Sequence, residues 1–158
     1  MKLARTIRFD ESDLNVFENA AETDEWAVSG AFEFSNWAEE DLTGKARQAF
    51  ANGWLGLERF GRSTFVAVSA IEPAERDAAI EALAGHFVER WGAPDLEAAR
   101  PVALEEIDFM IELCEDHAPN TLLIVERELT SAGVKEGFRA IHPQSADLEA
   151  FAVHGSDS

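Results

Sequence analysis

Cysteine is almost absent from this 158-residue chain, which holds only Cys114. A single thiol excludes an intramolecular disulfide and a zinc site built from cysteines, and it fits a reducing cytoplasm. Long apolar runs are missing as well: no window reaches the ~18 residues that a spanning helix needs. The first residues, MKLARTIRFD, alternate apolar with basic side chains instead of forming a leader with a small-residue cleavage site. A protein that is neither exported nor membrane-spanning is expected. Positive charge is the third scarcity. Thirteen Lys and Arg stand against 31 Asp and Glu, for a net charge of −18. That field repels nucleic acid and anionic membrane, so neither is an expected partner. Tyrosine is absent too, while there are eleven Phe and four Trp.

What is present is the material of one globular domain. A chain of this size buries roughly two thirds of its unfolded surface, and the hydrophobic share of 46% is ordinary. One domain over residues 1–154 is expected, with a disordered tail at 155–158.

The stretch GWLGLERFGRSTFVAVSAI at 53–71 organises the reading. Two apolar runs, 54–57 and 64–71, are joined by Arg59-Phe60-Gly61-Arg62-Ser63, the signature of a β-hairpin. The second run is apolar or small almost throughout and is expected at the centre of a sheet. Residues 3–9 read as a first strand with Leu3, Ile7 and Phe9 on one face, where Arg5 sits either at the rim or against a buried carboxylate. Residues 10–25 read as an acidic covering loop anchored by Leu14, Val16 and Phe17. The alternation WAVSGAFEF predicts a second strand over 26–34, placing Trp26, Val28, Gly30, Phe32 and Phe34 on one face.

Helices follow from 3.6-residue spacing. Thr43 caps a short one with Ala46, Ala49 and Phe50 inward, ended at Asn52-Gly53. Pro73 opens a longer one whose stripe is Ile80, Leu83, Ala84, Phe87, Val88 and Trp91. Pro101 opens another, with Leu104, Ile107, Met110, Ile111 and Cys114 buried. Strands at 121–129 and 134–142 form a second hairpin, and a short apolar turn at 148–153 precedes the tail. The expected fold is α+β: a mostly antiparallel sheet of about six strands with helices packed on one face.

Candidate sites each stand beside a plainer alternative. Lys45, Arg47, Arg59 and Arg62 form a basic island in an acidic chain. With Gly61, Ser63 and Thr64 it could bind a phosphate or carboxylate, Arg59, Gly61, Arg62 and Ser63 being the ligand-binding candidates, with Arg5 or Arg8 as further ones. The alternative is a polar hairpin tip. The segment lacks GxxxxGK[ST] and is no P-loop.

Glu105, Asp108, Glu112 and Glu115, with Asp116, fall on one flank of the last helix. They are either a solvated face or a docking surface for a basic partner. No histidine (His86, His117, His142 or His154) has a Glu three residues before it, so the helical carboxylate–histidine metal pattern is missing. No catalytic, metal or cofactor residues are assigned: GxSxG, HExxH and GxGxxG are all absent. Triads assembled in space stay open. Cys114 lies in an apolar stripe beside carboxylates, which argues against a reactive thiolate. Trp37, in what reads as a loop, is a candidate anchor for a protein partner.

The run AFANGWLGLERFGRSTFV, with EWAVSGAFEF before it and EGFR at 136–139, resembles an uncharacterised family of small acidic bacterial proteins with no assigned activity. The resemblance implies a compact cytoplasmic domain and brings no functional residues. The leading expectation is a non-enzymatic accessory domain that binds a protein partner, as monomer or homodimer. The alternative is a binder of, or small enzyme for, an anionic molecule at Arg59 and Arg62.

Overall fold

The computed structural model describes residues 1–7, 17 and 19–141. The expectations about Arg8, Phe9, Leu14, Val16, His142, His154, the turn at 148–153 and the tail at 155–158 lie outside the described residues.

The fold is α+β, with three α-helices and a seven-stranded, mostly antiparallel sheet curled into a half-barrel among the described residues. The strands are β1 (Lys2–Ile7), β2 (Trp26–Val28), β3 (Trp54–Gly56), β4 (Arg62–Ser63), β5 (Phe65–Ala70), β6 (Leu122–Thr130) and β7 (Gly133–Ile141), in spatial order β4-β3-β2-β1-β5-β6-β7. The helices are α1 (Gly44–Asn52), α2 (Pro73–Arg90) and α3 (Leu96–Glu115). The curl brings β3 near β7, where the rings of Trp54 and Phe138 lie 5.6 Å apart. Helices α2 and α3 pack on each other, α3 lies over β1, and α1 contacts β6 and β4.

The hairpin at 53–71 is half as expected. Its first arm and turn close on β4, with Trp54 opposite Ser63 and Leu55 opposite Arg62. The apolar second arm leaves this partner at Thr64. As β5 it lies between β1 and β6, pairing with β1 over six residues from Lys2–Ala70 to Ile7–Phe65. A six-residue register on β1 satisfies more backbone groups than the two-residue β3 edge offers. Val66 and Val68 are buried on one face of β5, while Phe65, Ala67 and Ser69 on the other are half-buried.

The second strand is shorter than its alternation predicts. It stops at Val28, because Gly30 takes a left-handed φ of 76° and turns the chain into a 3-10 segment at Ala31–Phe34. Phe32 and Phe34 therefore do not continue the face of Trp26. Gly30 suits the position for a second reason. A Cβ there would stand 2.6 Å from Leu55 Cβ and 2.8 Å from Arg62 Nη1.

Helix α2 opens at Pro73 as expected, and Glu75 accepts from the Glu72 N–H ahead of it at 3.0 Å. Helix α3 opens earlier than expected. Asp95 caps it by accepting from Ala98 N at 2.8 Å, so the helix runs from Leu96 and contains Pro101. Its buried stripe holds Ile107, Met110, Ile111 and Cys114, joined by Ala99 and Ala103, whereas Leu104 is exposed. The Trp91 expected in the stripe of α2 is likewise exposed, at 45%. Arg5 lies mid-way along the central strand β1 and not at the rim; its half-buried side chain sits 3.9 Å above the Trp26 ring and 3.6 Å from an oxygen of the exposed Glu75 side chain.

Candidate functional site

Two clefts flank the 31–34 segment, and a network of buried charge separates them. Gly30 turns the chain so that successive side chains point apart: Glu33 lines one cleft and Phe32 the other.

At the centre of the network Arg62 and Arg127 are both buried. Nη1 of Arg62 donates to the carbonyls of Ser29 and Gly53 at 3.2 and 3.0 Å. Its Nη2 donates to the carbonyl of Gly30 at 3.1 Å and to the Glu33 carboxylate. Arg127 donates from Nε to Glu136 at 2.8 Å and from Nη1 to the carbonyls of Phe50 and Gly53, each at 2.9 Å. Its Nη2 donates to the Ser29 carbonyl, and the Ser29 hydroxyl donates to Glu136. The two guanidinium carbons lie 4.6 and 5.4 Å from the centre of the Phe34 ring. Burial lowers the Arg62 pKa to about 10, against the pull of Glu33 and with the push of Arg127. Both arginines remain charged at neutral pH.

This geometry splits the basic island. Arg62 sits in the interior, its guanidinium occupied by carbonyls and Glu33. Ser63 is also buried, its hydroxyl 2.9 Å from the carbonyls of Ile7 and Phe65. Gly61 lies against the backbone of Asn19 and Ala20, where a Cβ would come within 2.7 Å. Arg59 alone of the four candidates projects, with 61% of its side chain exposed and an ion pair to Glu22 at 3.1 Å. The tip that carries it is anchored by Glu25, a buried carboxylate without any local sequence signal. Glu25 accepts from the backbone N–H groups of Glu22, Glu58 and Arg59 at 2.7, 2.8 and 3.0 Å.

The first cleft, of about 480 Å³, lies between this tip and the last turn of α2. Its wall holds Arg59, Phe60, Glu33, His86, Arg90 and Trp91. Phe60 adopts a left-handed φ of 55° and stacks on the His86 ring, with centroids 3.9 Å apart and planes 1° from parallel. His86 Nε2 is 2.9 Å from Glu33 Oε2 and 3.2 Å from the indole Nε1 of Trp91. One nitrogen cannot serve both. When protonated it donates to Glu33, and when unprotonated it accepts from Trp91. Burial would raise the Glu33 pKa, but the hydrogen bond from His86 and the charge and hydrogen bond of Arg62 hold it below the usual carboxylate range. An ionised Glu33 keeps the proton on Nε2 and leaves the Trp91 N–H without that acceptor.

The remaining candidates are dispersed. Trp37 is half-buried, edge-on to Phe34 with centroids 4.8 Å apart, and lines a smaller adjoining hollow with Lys45. Glu105, Asp108, Glu112 and Glu115 lie on the exposed surface of α3, with Asp108 paired to Arg76 at 2.6 Å and Glu115 accepting from the Lys2 backbone N–H. Burial, then the charge of Glu115, pushes the Cys114 thiol up to about 12. Among the described residues no group of three or more His, Cys, Asp or Glu could hold a metal ion, and no helix is long and apolar enough to cross a membrane.

The chain belongs to a family of unknown function, DUF6505, whose model matches residues 1–158. No curated protein and no solved structure matches it.

Proposed function

We propose that this member of a family of unknown function binds a small organic anion in the cleft between Phe60 and Trp91. The observation that carries the reading is the convergence of Arg59, Arg90 and the Trp91 indole N–H on one cleft. Arg90, in the last turn of α2, has no ion pair with any described residue. Arg59 stands across from it on the anchored tip, and the Trp91 indole N–H loses its internal acceptor whenever His86 donates to Glu33. Glu33 itself is matched by Arg62, and the exposed Glu89 in the lining is outnumbered by Arg59 and Arg90. The flat Phe60–His86 pair suits a ligand with a planar apolar part.

The direct test is thermal unfolding with a panel of carboxylate and phosphate metabolites, repeated on Arg59→Ala and Arg90→Ala. A ligand at about 100 times its dissociation constant adds about 2.7 kcal/mol of stability. The expected result is stabilisation by at least one anion that both variants diminish. A panel that stabilises nothing, or stabilisation indifferent to both arginines, sinks the proposal.

A second reading, an accessory domain that docks a basic protein, has its own support. Val102 and Phe109, seven residues apart on α3, are 51% and 49% exposed beside Glu105, Asp108 and Glu112. Substituting Lys at Glu105 and Glu112 would abolish such docking in a pull-down from cells and leave anion binding unchanged. In either reading we place the protein in the cytoplasm, where its lone thiol stays reduced.

A further inference from the structure

We infer that the second cleft, between the 31–34 segment, α3 and the turn end of the β6–β7 hairpin, is a binding site for an organic ammonium group carried on an apolar stem. The cleft encloses about 520 Å³ and is lined by Phe32, Phe109 and Val134 together with Glu106 and Glu136. Its walls are fixed by packing. Phe32 sits edge-on to Phe87 and Trp91 at 4.9 and 5.9 Å, and Phe109 lies 5.8 Å from Phe138.

The two carboxylates differ. Glu136 is matched by Arg127 and the Ser29 hydroxyl. Glu106 is half-buried and forms no hydrogen bond or ion pair with any described residue. Burial, reinforced by the charges of Glu136 and Glu105, raises its pKa. The cleft thus offers one unmatched negative charge beside two phenyl rings, which is the environment that favours a protonated amine over its neutral isostere. An anion would meet two carboxylates. A divalent metal would lack donors, since no three-ligand grouping exists among the described residues.

The site is separate from the anion cleft and does not rest on that reading. Its test is NMR titration of the whole protein with benzylammonium chloride, with benzyl alcohol at matched ionic strength, and with the peptide acetyl-Phe-Lys-amide. A cationic probe is expected to bind at least tenfold tighter than benzyl alcohol, with shifts centred on Glu106, Phe109 and Val134. Glu106→Gln, which removes an unmatched charge and leaves the packing in place, is expected to erase that preference, and Phe109→Ala to weaken both classes of probe. Tighter binding of the peptide assigns the ammonium to a lysine of a protein partner; tighter binding of benzylammonium assigns it to a free amine. No preference over benzyl alcohol, no binding by any probe, or a preference that survives Glu106→Gln overturns the inference. Substitutions at Arg59 and Arg90 read the other cleft independently.

Discussion

The two sides of the 31–34 segment treat charge in opposite ways. On the side of Glu33 every buried charge is matched: Arg62 and Arg127 are surrounded by carbonyls and carboxylates, and Glu33 receives both Arg62 and His86. On the side of Phe32 the Glu106 carboxylate has no partner among the described residues. The same chain, with a net charge of −18, spends two of its scarce arginines inside. There they tie the segment ends at Ser29, Gly30 and Gly53 together, rather than offering charge to a ligand. Matched charge holds the fold, and unmatched charge is what remains for recognition.

The largest effect that would test this contrast comes from opening the matched side. Arg127→Ala leaves Glu136 and the carbonyls of Ser29, Phe50 and Gly53 without their buried donor. A loss of about 3–5 kcal/mol in urea unfolding is expected. A loss below 1 kcal/mol would mean that the arginine pair is ornamental to stability.

Gly30→Ala is expected to cost less, about 1–3 kcal/mol, for a side chain forced into a left-handed φ. The contact with Leu55 and Arg62 adds to that cost. The companion Gly92→Ala shares a positive φ, 80°, but meets open space. If both variants lose equal stability, the close packing around the Arg62 guanidinium contributes nothing.

The smallest effect discriminates most sharply because it changes sign. The Glu33 pKa is depressed below its ordinary 4.5, so its stabilisation is present above about pH 4.5 and fades as pH falls through the lower folded value. Glu33→Gln should therefore destabilise at pH 7 and flatten that acid limb. The Glu106 pKa is raised above 4.5, so the folded state holds its proton longer and stability declines as pH rises through the folded value. Glu106→Gln should stabilise at pH 7, by about 0.5 kcal/mol, and remove that decline. Melting curves from pH 3 to 8 would show it; shifts of the same sign in both variants would erase the distinction between the clefts.

Local pattern made much of the framework readable. Pro73 and the stripe from Ile80 to Phe87 announce α2, Asn52-Gly53 ends α1, and the 122–141 hairpin alternates cleanly. The pattern misled where one residue outweighed several. Gly30 stopped a strand that its neighbours' alternation would continue, and the Asp95 cap started α3 five residues ahead of Pro101. Arg59 and Arg62, three positions apart on one turn, look alike in the sequence, yet Arg59 projects and Arg62 is internal.

The site was less legible for a related reason. His86 and Glu33 are 53 residues apart, and Arg127 meets Ser29 across 98. Neither spacing carries a local signal. The sequence by itself determined most of the element types, the acidic balance and the absence of an intramolecular disulfide, because helical and strand periodicity, net charge and cysteine number are properties of neighbouring residues or of sums over the chain. Only the tertiary structure decided which arginines are buried and which carboxylate is left unmatched. A buried guanidinium needs acceptors from several directions at once, and in this fold they converge from the turn after β2, the 31–34 segment, the end of α1 and the strand β7.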